Sequence, residues 1–128
     1  MVSKLRIQRI SDRIREELSE ILLQEISDPR LAGVSVTDVK VDRELYFADI
    51  FVSAVEGSSR SETILNGFHH AQGYLRHSLA QKIELRTFPQ LRFHWDPTFE
   101  RAERIESIIA SLHKSSPDNT LPANSRED

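Results

Sequence analysis

The spacing of apolar residues changes along this chain, and that change fixes which elements can form. Ile7, Ile10, Ile14, Leu18, Ile21 and Leu22 recur at three- and four-residue intervals, which predicts an amphipathic helix over residues 5–26. Proline disfavours helical geometry in the residue before it, so this helix must stop near Ser27-Asp28-Pro29, with Leu31-Ala32-Gly33 as a connector. The pattern then turns β-branched and aromatic. Val34–Val41 and Tyr46–Val55 read as two strands joined by the polar turn Asp42-Arg43-Glu44-Leu45.

Gly57-Ser58-Ser59 breaks the second strand, and Ser59 followed by Glu62 reads as a capping box opening a helix. Its stripe is Ile64, Leu65, Phe68, Ala71, Leu75, Leu79 and Ile83. Gly73 falls inside that stripe, where it costs roughly 1 kcal/mol relative to alanine, so a kink is expected at Ala71-Gln72-Gly73. Leu91, Phe93 and Trp95 alternate with Arg92, His94 and Asp96, which predicts a short half-buried strand. Asp96-Pro97 suits a helix start, and Ala102, Ile105, Ile109 and Leu112 form the last stripe. Residues 114–128 are polar and aperiodic and read as a disordered tail after a domain at 1–113. The expected architecture is α+β, in the order α-β-β-α-kink-α-β-α. A three-stranded sheet carries helices on one face.

A chain of 128 residues supports one such core. It holds no cysteine, which excludes disulfides, thiolate metal sites and cysteine nucleophiles. No apolar run reaches the length of a membrane span, and the N-terminus lacks the apolar stretch of a signal peptide. A cytoplasmic location is therefore expected. The net charge of −3 argues mildly against a nucleic-acid binder, but the charge is unevenly spread. Residues 96–128 carry −3, whereas residues 57–95 carry +3, from Arg60, Arg76, Lys82, Arg86 and Arg92 against Glu62 and Glu84. A local basic surface is compatible with an acidic chain.

Each constellation has a functional and a structural reading. Arg6, Arg9 and Arg13 share one side of the first helix, where they offer a phosphate stripe or a solvated face with Arg13 paired to Glu17 and Arg9 to Asp12. Ala71, Gly73, Arg76 and His77 surround the expected kink, where the free amides of a second helix would suit a phosphate. The alternative there is a glycine needed only for packing. His69, His70 and His77 lack metal-site spacing, and no phosphate loop or nucleophile elbow is present, so neither metal, cofactor nor catalysis is expected. Tyr46, Phe47 and Phe51 could form a base-stacking platform on a sheet, but the glycine–aromatic pattern of such platforms is missing, which favours core packing.

Several segments together resemble a known family. They are Ile26-Ser27-Asp28-Pro29-Arg30-Leu31, Asp42-Arg43-Glu44-Leu45 with Ala48, Ala71-Gln72-Gly73-Tyr74-Leu75-Arg76, Leu85 to Phe93 with Asp96, and Glu103-Arg104-Ile105. Their order and spacing resemble bacterial-type ribosome-binding factor A over residues 5–112. The resemblance implies a KH-like domain of the second topology in which an Ala-X-Gly kink replaces the GXXG loop. It also implies a monomer that binds the immature small (30S) subunit and its 16S rRNA. Such a factor would assist late maturation and rRNA processing, chiefly in the cold, and would leave with the help of a release GTPase. It carries Arg9, Arg30, Gly73, Arg76 and Arg86 as RNA contacts; the expected kink adds Ala71 and His77, and the basic pattern adds Arg6, Arg13, Lys82 and Arg92. One departure is Arg101-Ala102, where the family commonly has a glycine-containing helix start. Two rival readings are a protein–protein adaptor without direct RNA contact and an enzyme using His69, His70 or His77.

Overall fold

The computed structural model describes residues 3–115, with the side chains of 98, 101 and 104–112 described in its last helix. Helix α1 spans Lys4–Gln24 and is capped by the Ser3 hydroxyl, which accepts the Arg6 amide at 3.2 Å. Its stripe buries Ile10, Ile14, Leu18 and Ile21. A 3₁₀ turn at Pro29–Leu31 follows, then strand β1 at Val34–Val41 and strand β2 at Phe47–Ala54. A second 3₁₀ turn at Gly57–Arg60 leads into α2 at Ser61–Lys82, strand β3 at Gln90–Trp95 and helix α3 at Thr98–Ser115. The described residues through Asp96 form one compact unit, and the described residues from Pro97 belong to a second.

The fold is α+β, with a single sheet among the described residues in the order β1-β2-β3. β1 and β2 pair antiparallel through a tight loop, which Asp42 closes by accepting the Phe47 amide at 2.8 Å. β2 and β3 run parallel, so α2 is the crossover between them. One sheet face presents Val36, Val39, Ala48, Ile50, Val52 and Leu91 to the core. α1 packs on β1 and α2 on β3, and Phe68 and Phe93 stack with ring centroids 4.5 Å apart.

The structure corrects three local expectations. Ser59 forms no capping box. Its hydroxyl donates to the Glu56 carbonyl, and α2 begins after Arg60 with no side-chain cap. The 3₁₀ turn has moved the helix start beyond the reach of Ser59. No break occurs at Ala71-Gln72-Gly73, since α2 is continuous and Gly73 lacks the positive φ found at Gly33 and Gly57. One glycine lowers helix propensity too little to interrupt a helix whose buried side is packed on both sides of it. Third, α3 extends through Ser115, past the expected tail start at 114; the rest of that segment, 116–128, lies outside the described residues.

Candidate nucleic-acid interface

The turn after α1 is built around Asp28. Its carboxylate accepts the Arg30 amide at 2.9 Å, and Pro29 occupies the first position of the turn. The same carboxylate grips the Arg30 guanidinium, with a shortest contact of 2.7 Å. That hydrogen-bonded pair holds the Asp28 carboxyl below the ordinary carboxylate range and raises Arg30. Arg30 Nη1 also lies 3.1 Å from His70 Nδ1 on α2, which stands 3.3 Å from the Asn66 carbonyl as well. Arg60 closes the turn from the other side, donating to the carbonyls of Arg30 and Ala32 at 2.9 and 3.2 Å. The turn lies this close to α2 because residue 67 is glycine. A Cβ there would stand 2.9 Å from Leu31 Cδ2 and 3.1 Å from Arg30 Cβ.

A second basic group gathers at the far end of α2, about 18 Å away for twelve residues of helix. Arg13 pairs with Glu17 at 3.2 Å, as its spacing predicts, and donates across to the Lys82 carbonyl at 3.0 Å. Lys82 Nζ reaches Glu25 at 3.1 Å. Hydrogen bonds from the Tyr74 hydroxyl, from Lys82 and from Ser78 draw the Glu25 carboxyl below its usual value. The expected Arg9–Asp12 pair does not form, because Asp12 is taken by Gln8 at 2.9 Å. Arg6 and Arg9 line a surface depression with Arg13, Ile10, Ile83, Glu84 and Leu85, and Arg86 follows directly in the chain. The side chains of Arg6, Arg9 and Arg86 are exposed and make no ion pair among the described residues.

Between these groups, Gly73 and His77 lie on the exposed side of α2, and Ala71 is half-buried against the core. Nothing lies within 4 Å of a Cβ built on Gly73. Arg76 points elsewhere: its guanidinium donates to the Phe88 and Pro89 carbonyls, while Gln72 donates to the Leu91 carbonyl at 2.7 Å. These two side chains pin the segment entering β3 to α2.

Arg92 stands apart from both groups, on the sheet face away from α1 and α2. It makes a two-point pair with Asp49 at 2.9 and 3.1 Å and lies over the Phe47 ring at 4.0 Å. His94 donates to the same Asp49 at 2.7 Å and stacks on Phe51 with centroids 5.1 Å apart. The Arg92 pair is the main reason the Asp49 carboxyl sits below its ordinary value. Phe47 and Phe51 are thus not core residues, contrary to the sequence reading. They alternate with Ala48, Ile50 and Val52, and β2 turns those three inward. Gly67 and Asp49 were missed. A mid-strand acid two residues from each aromatic was a signal for Asp49, but a glycine inside a helix gives none for its packing partner.

A profile of the family described as ribosome-binding factor A matches residues 6–109. The chain belongs to the ribosome-binding factor A family. The family protein of Aromatoleum aromaticum is 32% identical over 121 residues, covering 89% of this chain and 95% of that one. That of Chromohalobacter salexigens is 40% identical over 106 residues, covering 81% of each. Among solved structures, a Thermotoga maritima protein described as a putative ribosome binding factor A is similar at a TM-score of 0.64, with 26% identity over 73% of this chain and 90% of that one. The crystal structure of the Thermus thermophilus ribosome-binding factor A matches at 0.63, with 24% identity over 70% of this chain and 93% of that one. A homology-built structure of the Thermus thermophilus factor, fitted into a cryo-electron microscopy map of its 30S complex, has the same fold, at 0.57 with 23% identity over 68% and 91%. The family match spans both basic groups on α2 and the β2–β3 face. Among the described residues no three histidines or carboxylates gather as a metal site, and no helix is long and apolar enough to cross a membrane.

Proposed function

We propose that this protein is a ribosome assembly factor that binds the immature small subunit and its 16S rRNA and performs no chemistry. The observation that carries the reading is the set of arginines without an ion pair among the described residues, Arg6 and Arg9 lining one depression and Arg86 next in the chain to its Leu85, in a chain of this family. Cations without a carboxylate partner have nothing to give up on meeting phosphate, whereas Arg13, Arg30, Lys82 and Arg92 are already paired. The Thermus thermophilus factor described as fitted in a 30S complex supports the same partner.

The domain is KH-like in its helix and strand order, without the GXXG clamp that holds single strands. Recognition therefore rests on the position of phosphates on folded rRNA. A rigid body docked there holds one RNA arrangement against another and shifts the folding equilibrium by differential binding. The family resemblance adds action late in maturation and in rRNA processing, in the cytoplasm and most needed in the cold, with release by a GTPase acting on the subunit. Arg30, His77 and Gly73 form a secondary contact along α2, where the glycine allows close approach. Arg76 contributes by holding the loop before β3.

Co-sedimentation with small subunits at increasing salt tests the proposal. Arg9→Ala and Arg86→Ala should each weaken binding and lower the salt slope by about one unit. Slopes that stay at the wild-type value in both variants would refute the phosphate role. The adaptor reading keeps one observation in its favour, the exposed apolar stripe Ile105, Ile108, Ile109 and Leu112 on α3. Retained sedimentation of both arginine variants with loss in Ile109→Ser would favour it.

A further inference from the structure

We propose that the face of the sheet turned away from α1 and α2 is a second RNA site, which stacks unpaired bases on two planar shelves, a guanidinium and an imidazole. The inference rests on the RNA-binding function proposed above and adds to it the class of RNA that this face takes.

The shelves are built by one carboxylate. Asp49, at the middle of the central strand, takes two guanidinium nitrogens of Arg92 and Nε2 of His94. The two-point pair fixes the guanidinium plane as well as its position, which a single contact would not do. Behind each planar group lies an aromatic ring: the Phe47 ring centroid is 4.0 Å from the Arg92 guanidinium carbon, and Phe51 stacks on His94 at 5.1 Å with 29° between the planes. Lys40 adds a cation 5.4 Å from the Phe51 centroid. Half of the Arg92 side chain and 43% of His94 remain exposed. Each shelf is therefore backed by a ring on one side and retains area for a ligand.

Arg92 and His94 are two residues apart on β3, about 7 Å along the strand. That is within the reach of adjacent nucleotides on an extended strand. Unstacked RNA bases lie on aromatic rings and on guanidinium planes alike, and this requires no sequence. A paired duplex keeps its bases inside and has no face to offer. The charge near the shelves is balanced rather than strongly positive, because Asp49 and Asp38 stand among Lys40, Arg92 and His94. Stacking, not phosphate attraction, must therefore dominate here, and that distinguishes this face from the arginines around Ile83–Leu85.

The test uses the full chain with two fluorescent probes, a short oligoadenylate and an RNA duplex of equal length. Arg92→Lys keeps the charge and removes the plane; Phe47→Leu keeps apolar bulk and removes the ring. Each should weaken oligoadenylate binding about fivefold or more. The duplex affinity and the salt slope of Arg92→Lys should stay at the wild-type value. Circular dichroism melts confirm that both variants are folded. Wild-type affinity for oligoadenylate in both variants overturns the proposal, and so does an equal loss on duplex and single strand, or no oligoadenylate binding by the wild-type chain. If Arg92→Lys changes nothing while Arg9→Ala still weakens co-sedimentation, the stacking surface is wrong and ribosome binding stands.

Discussion

Two glycines of α2 carry opposite consequences. Gly67 is buried under the 3₁₀ turn, where an added methyl would meet Leu31 and Arg30. Leu31 is itself buried, so it has little room to withdraw. Gly67→Ala should destabilise by about 1–3 kcal/mol despite the better helix propensity of alanine, as measured by urea unfolding. Gly73 has helical geometry and open space around its Cβ position. Gly73→Ala should stabilise by about 0.4–1 kcal/mol in the same assay, chiefly by restricting the unfolded chain. A destabilised Gly73→Ala would show strain that the continuous helix does not contain. The sequence directs attention to Gly73 because it interrupts an apolar stripe. The important glycine is the one whose neighbour lies 36 residues away.

Among the elements, α2 is a spine to which other segments are tied by side chains reaching backbone carbonyls. Arg13 reaches it from α1, Arg60 reaches from its start to the 3₁₀ turn, and Gln72 and Arg76 reach to the segment entering β3. Hydrogen bonds to a charged donor contribute roughly 1.5–3 kcal/mol each. Arg76→Met should therefore lower stability by about that amount while leaving the salt slope of subunit binding intact. A slope reduced by one unit at unchanged stability would instead make Arg76 a phosphate contact. The arginine's position in the helix was readable in advance. Its partners were not, because they are carbonyls on a segment 12 and 13 residues further along the chain.

For the whole molecule, acid is the informative perturbant. Glu25, Asp28 and Asp49 are each held below the ordinary carboxylate range by hydrogen-bonded partners. Their folded pKa values lie below the unfolded ones, so the unfolded chain binds more protons in the window between. The stabilisation is complete above about pH 5, begins to be lost as pH falls through the ordinary carboxylate range, and is gone below the lowered values. The melting temperature should thus fall on acidification below about pH 5. Asp28→Asn should start from a lower melting temperature and show a shallower acid limb. An acid limb identical to wild type would mean that the Asp28–Arg30 pair is not maintained in solution.

The apolar spacing alone determines the order of elements, the α+β class and the inward residues of α1 and α2, because burial of one face is a local property of the chain; Ile105, Ile109 and Leu112 of the stripe read on α3 are exposed instead. The strand limits of β1 were legible for the same reason, and the family followed from the order of several short segments. Pairing was not legible. β2 lies between an antiparallel and a parallel neighbour, and this placement, not hydrophobicity, decides that Phe47 and Phe51 face away from α1 and α2. Nor could charge counting separate free arginines from paired ones. Arg9 and Arg92 are alike in sequence, but Asp49 is brought to Arg92 across the sheet and no carboxylate is brought to Arg9 among the described residues. Local periodicity sets what is buried. Only the tertiary structure decides which charges have partners, since those partners lie on other elements.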